Sequence, residues 1–84
     1  MPGVNDQRAR LEVLTIDGVK IGKNLRRVRE DRLMTQQELA EAADLGLSTV
    51  LRIENDRVEP RFTTIRKLAR ALDVDHRELT RRED

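Results

Sequence analysis

The chain has 84 residues, a net charge of +1, 39% charged side chains, one aromatic residue and no cysteine. That length predicts a single domain, too short for a separate ligand-binding module, and the missing cysteines exclude disulfides and thiolate metal sites, in keeping with a reducing cytoplasm. No apolar run approaches the roughly 20 residues of a membrane span, MPGVNDQRAR has no apolar signal core, and so small a net charge does not by itself point to nucleic acid.

Residues 1–10 are polar, contain Pro2 and Gly3, and read as a frayed arm. LEVLTI at 11–16 changes character: its β-branched residues and partial alternation predict a short strand. A lone strand leaves its ladder groups unpaired, which predicts a homodimer with a two-stranded ribbon across its axis. The alternative is an extended arm packed on its own domain. Asp17 is the expected N-cap of a first helix from Gly18 to Asp31, whose inward stripe is Ile21, Leu25 and Val28. Between 18 and 29 lie Lys20, Lys23, Arg26, Arg27 and Arg29 with no acid, a local basic run.

Thr35 followed by Glu38 has the capping-box spacing and predicts a helix over 36–43 with Leu39, Ala40 and Ala43 on one face. Ala40 is small enough to admit a second helix. Asp44, Leu45 and Gly46 form a tight break before a helix over 47–55. Val50 and Ile53 face inward there; Leu47, Ser48, Leu51, Arg52 and Asn55 fall on the other side. That outward row either reads a surface or is the solvated face of an ordinary helical hairpin. After a polar link at 56–59, Pro60 suits the start of a fourth helix with stripe Ile65, Leu68, Ala69 and Leu72. Phe62 is expected in the core. Asp75 caps a last short helix, His76 to Thr80, and 81–84 form a tail.

With its flanks the segment resembles the Cro and phage-repressor, or Xre-type, helix-turn-helix family. The pieces that carry the likeness are IGKNLRRVRE, TQQELAEAA, STVLRIEN, PRFTTIRKLARALDV and HREL, in order from about Ile21 to Leu79. The resemblance implies an all-α, five-helix, lambda-repressor-like DNA-binding domain over 18–80, and the residues themselves add the expected strand-bearing arm at 1–17 before it. It implies an internal ion pair between Arg29 and Glu54, so Glu54 is not expected to touch DNA. Gln36, at the first turn of the second helix, matches a glutamine that relatives use to clamp the DNA backbone, with Gln37 beside it. Gly46 allows a close backbone approach, and Leu47, Ser48 and Arg52 match base-reading positions. Arginine makes bidentate contacts to guanine, and leucines such as Leu47 and Leu51 can meet thymine methyl groups. Thr49 and Asn55 suit phosphates, although Asn55 is equally suited to end the third helix. Arg61, in PRF, and Arg57 suit a narrow minor groove. Where relatives often carry glycine, this chain has Leu33, Asp44 and Asp56. Leucine tolerates the left-handed conformation poorly, so the first interhelical connection is expected to depart from the family pattern.

No phosphate-binding glycine loop, metal-ligand cluster or dinucleotide fingerprint is present, and the single histidine, His76, has no motif around it. Neither an enzyme nor a cofactor is expected. The implied function is a dimeric transcriptional regulator, a repressor on a palindromic double-stranded DNA operator with the third helix in the major groove. The rival is an antitoxin-like module that holds a protein partner through the apolar strand or the exposed leucines.

Overall fold

The structure, a computed structural model, describes residues 20–81. Among them five helices run in chain order and there is no strand: α1 Gly22–Asp31, α2 Gln36–Ala42, α3 Leu47–Glu54, α4 Phe62–Leu72 and α5 Arg77–Thr80. The strand expected at 11–16, the cap at Asp17 and residues 82–84 lie outside the described residues.

The apolar periodicity closes into one core. Ile21, Leu25 and Val28 meet Leu39, Ala40 and Ala43 of the second segment, Val50 and Ile53 of α3, Ile65, Leu68, Ala69 and Leu72 of α4, and Leu79 of α5. Each large aliphatic side chain taken from water contributes roughly 1.5–3 kcal/mol. α3 packs on both α1 and α2, while α5 packs on α1 and α4. The buried Asn24 fastens that last contact: its Nδ2 donates to Leu79 O at 3.0 Å and to Arg81 O at 2.7 Å.

Helices α1 to α4 all stop in the same way. After each, one residue turns left-handed: Leu33 (φ 58°), Asp44 (59°), Asp56 (56°) and Asp73 (59°). Two backbone bonds then close over the helix end, for example Leu33 N–H to Glu30 O at 2.9 Å and Met34 N–H to Arg29 O at 3.1 Å. The same pairing recurs as Asp44 to Glu41 with Leu45 to Ala40, Asp56 to Ile53 with Arg57 to Arg52, and Asp73 to Arg70 with Val74 to Ala69. This is the Schellman stop, which satisfies carbonyls the helix leaves open. Aspartate enters the left-handed region more readily than most residues. Leucine does not, yet Leu33 adopts it, so the connection between α1 and α2 keeps the common geometry rather than departing from it. The two closing bonds and the half-buried Met34 behind them outweigh the local strain.

Four expectations are corrected. α1 starts at Gly22, not Gly18, because Ile21 is pulled fully into the core and the Gly22 amide is taken by Asp56 Oδ1 at 3.0 Å. α4 starts at Phe62 with Arg61 at its N-cap, leaving Pro60 two residues outside. Phe62 is not core: it is 53% exposed. The inward stripe of α4 reaches that position by period, but there the ring meets His76 nearly at right angles (centroids 5.1 Å apart, planes at 81°) and lies under the Arg66 guanidinium, 5.9 Å from the ring centre. α5 starts at Arg77, one residue later than expected, with His76 rather than Asp75 at its N-cap position; Asp75 Oδ1 accepts the Arg77 N–H at 2.9 Å from just outside the helix. Side-chain and backbone hydrogen bonds from Arg77 hold the Asp75 carboxyl down at about 2.

Candidate nucleic-acid interface

α2 and α3 form the helical pair that the break at 44–46 predicted. Thr35 Oγ1 accepts from Glu38 N–H at 3.0 Å and Glu38 Oε1 accepts from Thr35 N–H at 2.8 Å, completing the capping box. Asp44 then reverses the chain, Gly46 serves as the α3 N-cap, and Ala40 and Val50, both buried, let the two helices approach.

On its inward side α3 is held by a carboxylate. Glu54 has no exposed side-chain surface, and Arg29 grips it with Nε to Oε2 at 2.6 Å and Nη2 to Oε1 at 3.2 Å, while Arg29 Nη1 donates to Met34 O at 2.8 Å. A bidentate, charge-assisted pair of this kind fixes angle as well as distance. The ion pair expected between Arg29 and Glu54 is therefore present and links α1 to α3. Two further groups join it. Gln36 Nε2 donates to Glu54 Oε1 at 2.9 Å, and Arg26 Nη2 donates to the Glu54 carbonyl at 3.4 Å. Beside them, a Cβ at Gly22 would stand 2.5 Å from Glu54 O and 2.8 Å from Ile53 O. Only a bare backbone lets the N-terminus of α1 sit against the C-terminal carbonyls of α3, an arrangement that opposite helix-end charges favour.

Arg26, Gly22, Asp56 and the bond of Gln36 to Glu54 are the parts of this brace that sequence reasoning missed. Asp56 had a local signal, as an aspartate where a left-handed residue is needed. Its bond to Gly22 spans 34 positions, and no local pattern encodes such a contact.

The outward side of α3 is different in kind. Leu47 and Leu51 are 39% and 36% exposed, and Ser48, Arg52 and Asn55 are exposed with them, while Thr49 is half-buried. Asn55 occupies the C-cap position of α3. Arg57 and Arg61 are exposed on the link to α4, where the Arg57 amide closes the α3 stop. Gln36 is half-buried, with one amide hydrogen committed to Glu54; a carboxamide carries a second. Gln37 points along α2 to Glu41 Oε2 at 3.0 Å. Gly46 has an ordinary φ of −74°, and a Cβ there would meet nothing nearer than Thr49 Oγ1 at 3.9 Å. Nothing inside the described fold requires glycine at that point.

Among the described residues no group of three or more His, Asp or Glu side chains is placed to hold a metal ion, and no helix is long and apolar enough to cross a membrane. The arrangement offers one rigidly held helix with a mixed apolar, hydroxyl and cationic row turned outward.

Comparison with known proteins agrees with this geometry. A helix-turn-helix family model, HTH_3, matches residues 25–79. The immunity repressor protein of Bacillus phage phi105 is 37% identical over 54 residues, which is 64% of this chain and 38% of that protein. The chain thus spans well under half the length of that curated relative. Among solved structures, the restriction-modification controller protein C.AhdI from Aeromonas hydrophila is similar with a TM-score of 0.70 at 38% identity, covering 76% of this chain and 97% of that one.

Proposed function

The chain belongs to the HTH_3 helix-turn-helix family, and from that premise we propose that it is a sequence-specific DNA-binding transcriptional regulator, acting as a repressor. Its relatives support the reading, since one is named an immunity repressor and another a restriction-modification controller. The observation that carries it is the contrast across α3: a helix clamped from behind by the Arg29–Glu54 pair presents Ser48 and Arg52 outward, unengaged with the core.

In this reading α3 enters the major groove. Arg52 reads guanine by a bidentate contact, and Ser48 donates to or accepts from a neighbouring base edge. The second amide hydrogen of Gln36, together with Thr49 and Asn55, meets phosphates and fixes register, while Gln37 borders the backbone. Arg57 and Arg61 on the link serve the flanking minor groove. Two copies bind one palindromic operator with half-sites about 34 Å apart. The copies pair through a ribbon of segment 11–16, or else through the last helix.

Selection of bound sequences from a random DNA pool tests the proposal. The expected result is a palindrome with half-sites one helical turn apart. Arg52→Ala should then relax preference at one position per half-site and cost about 1–3 kcal/mol. Negligible binding to every DNA at low salt would sink the regulator reading and favour the protein-partner role, for which the exposed Leu47 and Leu51 are the supporting observation.

A further inference from the structure

The outward row of α3 contains an apolar pair that the fold leaves unexplained. Leu47 and Leu51 stand one turn apart, at i and i+4, neither belonging to the buried core, while Val50 and Ile53 of the same helix are at most 1% exposed. Residues so spaced have Cβ atoms roughly 5–6 Å apart on one helix face. Ser48 and Arg52 follow each leucine directly and, at the same i, i+4 spacing, form a polar column beside the apolar one. A protein-docking face concentrates apolar area at its centre. Here only two leucines are bordered by a hydroxyl and a guanidinium, which suits the major-groove edge of base pairs, where methyl groups lie beside donors and acceptors. Gly46, immediately before Leu47, lacks a side chain although the protein has room for one, so no side chain projects beside the first leucine at the helix start.

We propose that Leu47 and Leu51 are specificity-determining residues that read C5 methyl groups on pyrimidines in the major groove, so that each half-site carries thymines beside the guanine read by Arg52. This rests on the DNA-binding reading above and adds the chemistry of the contact. The only feature of thymine that a leucine can recognise there is its methyl group. The contact is consequently blind to everything else about the base and accepts the methyl of 5-methylcytosine equally well.

The test uses the full chain and the sites it selects. Each thymine of a half-site is replaced in turn by deoxyuridine, which removes the methyl and leaves pairing unchanged. At one or two positions per half-site binding should weaken about fourfold, the equivalent of about 0.8 kcal/mol for one buried methylene-sized group. Leu47→Ala or Leu51→Ala should abolish the sensitivity at the matching position while leaving the others intact. At that position, in a site carrying cytosine, 5-methylation should recover a similar factor in the parent protein and none in the alanine variant. Uracil substitution without effect anywhere, or a sensitivity that survives in both alanine variants, would overturn the proposal. Failure to select any site would instead count against the DNA-binding reading itself, so the two outcomes are distinguishable.

Discussion

The two sides of α3 are eight residues of one helix under opposite rules. Inward, every group is accounted for: Val50 and Ile53 fill the core, and the Glu54 carboxylate is shared by Arg29 and Gln36, with Arg26 and the bare Gly22 against its carbonyl. Outward, the leucines, the serine and the arginine satisfy nothing inside the described fold. The difference teaches that exposed apolar surface is informative when the same helix shows how completely the chain satisfies its groups elsewhere.

The comparison breaks first, if it breaks, at Glu54. Glu54→Ala leaves a nearly buried guanidinium without its carboxylate, and breaking such a pair costs about 3–5 kcal/mol. Urea unfolding should show that loss, whereas Arg52→Ala should leave stability within about 0.5 kcal/mol of the parent, as for other surface positions. Equal effects at the two sites would mean that the brace is ornamental.

The two glycines sharpen the point. Gly22→Ala places a methyl against the Glu54 carbonyl and should destabilise by about 1–3 kcal/mol through a forced backbone shift. Gly46→Ser should gain a few tenths of a kcal/mol by capping α3, while weakening binding to the selected DNA. A melting curve and a titration on the same variant separate those effects. A Gly46→Ser protein that bound as well as its parent would remove the case for a close approach there.

A third exposed leucine tests the comparison with a change of opposite sign. Leu33 is 89% exposed and left-handed, so unlike Leu47 and Leu51 it carries a local penalty. Leu33→Gly should stabilise the fold by about 1 kcal/mol, since the left-handed strain relieved exceeds the added freedom of the unfolded chain. A higher denaturation midpoint with unchanged slope is the expected readout, and DNA affinity should not move. If affinity falls, Leu33 belongs with the outward row after all.

Much of this architecture was legible because it is periodic or local. The stripes at Ile21, Leu25 and Val28 and at Ile65, Leu68, Ala69 and Leu72 are spaced for helices, and the Thr35–Glu38 box announces its own helix start. The outward placement of Leu47, Ser48, Leu51 and Arg52 followed from the same count. The misses lie where a stripe runs off the packed layer or a local preference is overruled. Phe62 sits on the inward period of α4 and is still half in solvent. Leu33 accepts a conformation leucine disfavours, because two backbone bonds and Met34 hold the turn shut.

By itself, then, the sequence determined the helices, their inward faces and the row that α3 turns outward, all of which depend on residues within a turn or two of one another. Resemblance, not periodicity, suggested the Arg29–Glu54 pair. Only the tertiary structure decided how α3 is fixed. Gln36 and Arg26 converge on Glu54, Asp56 reaches across 34 positions to the start of α1, and Gly22 clears the space between the helix ends. Those contacts join residues distant in the chain, and hydrogen-bond and van der Waals forces act over a few ångströms, so they exist only once the core has brought the helix ends together.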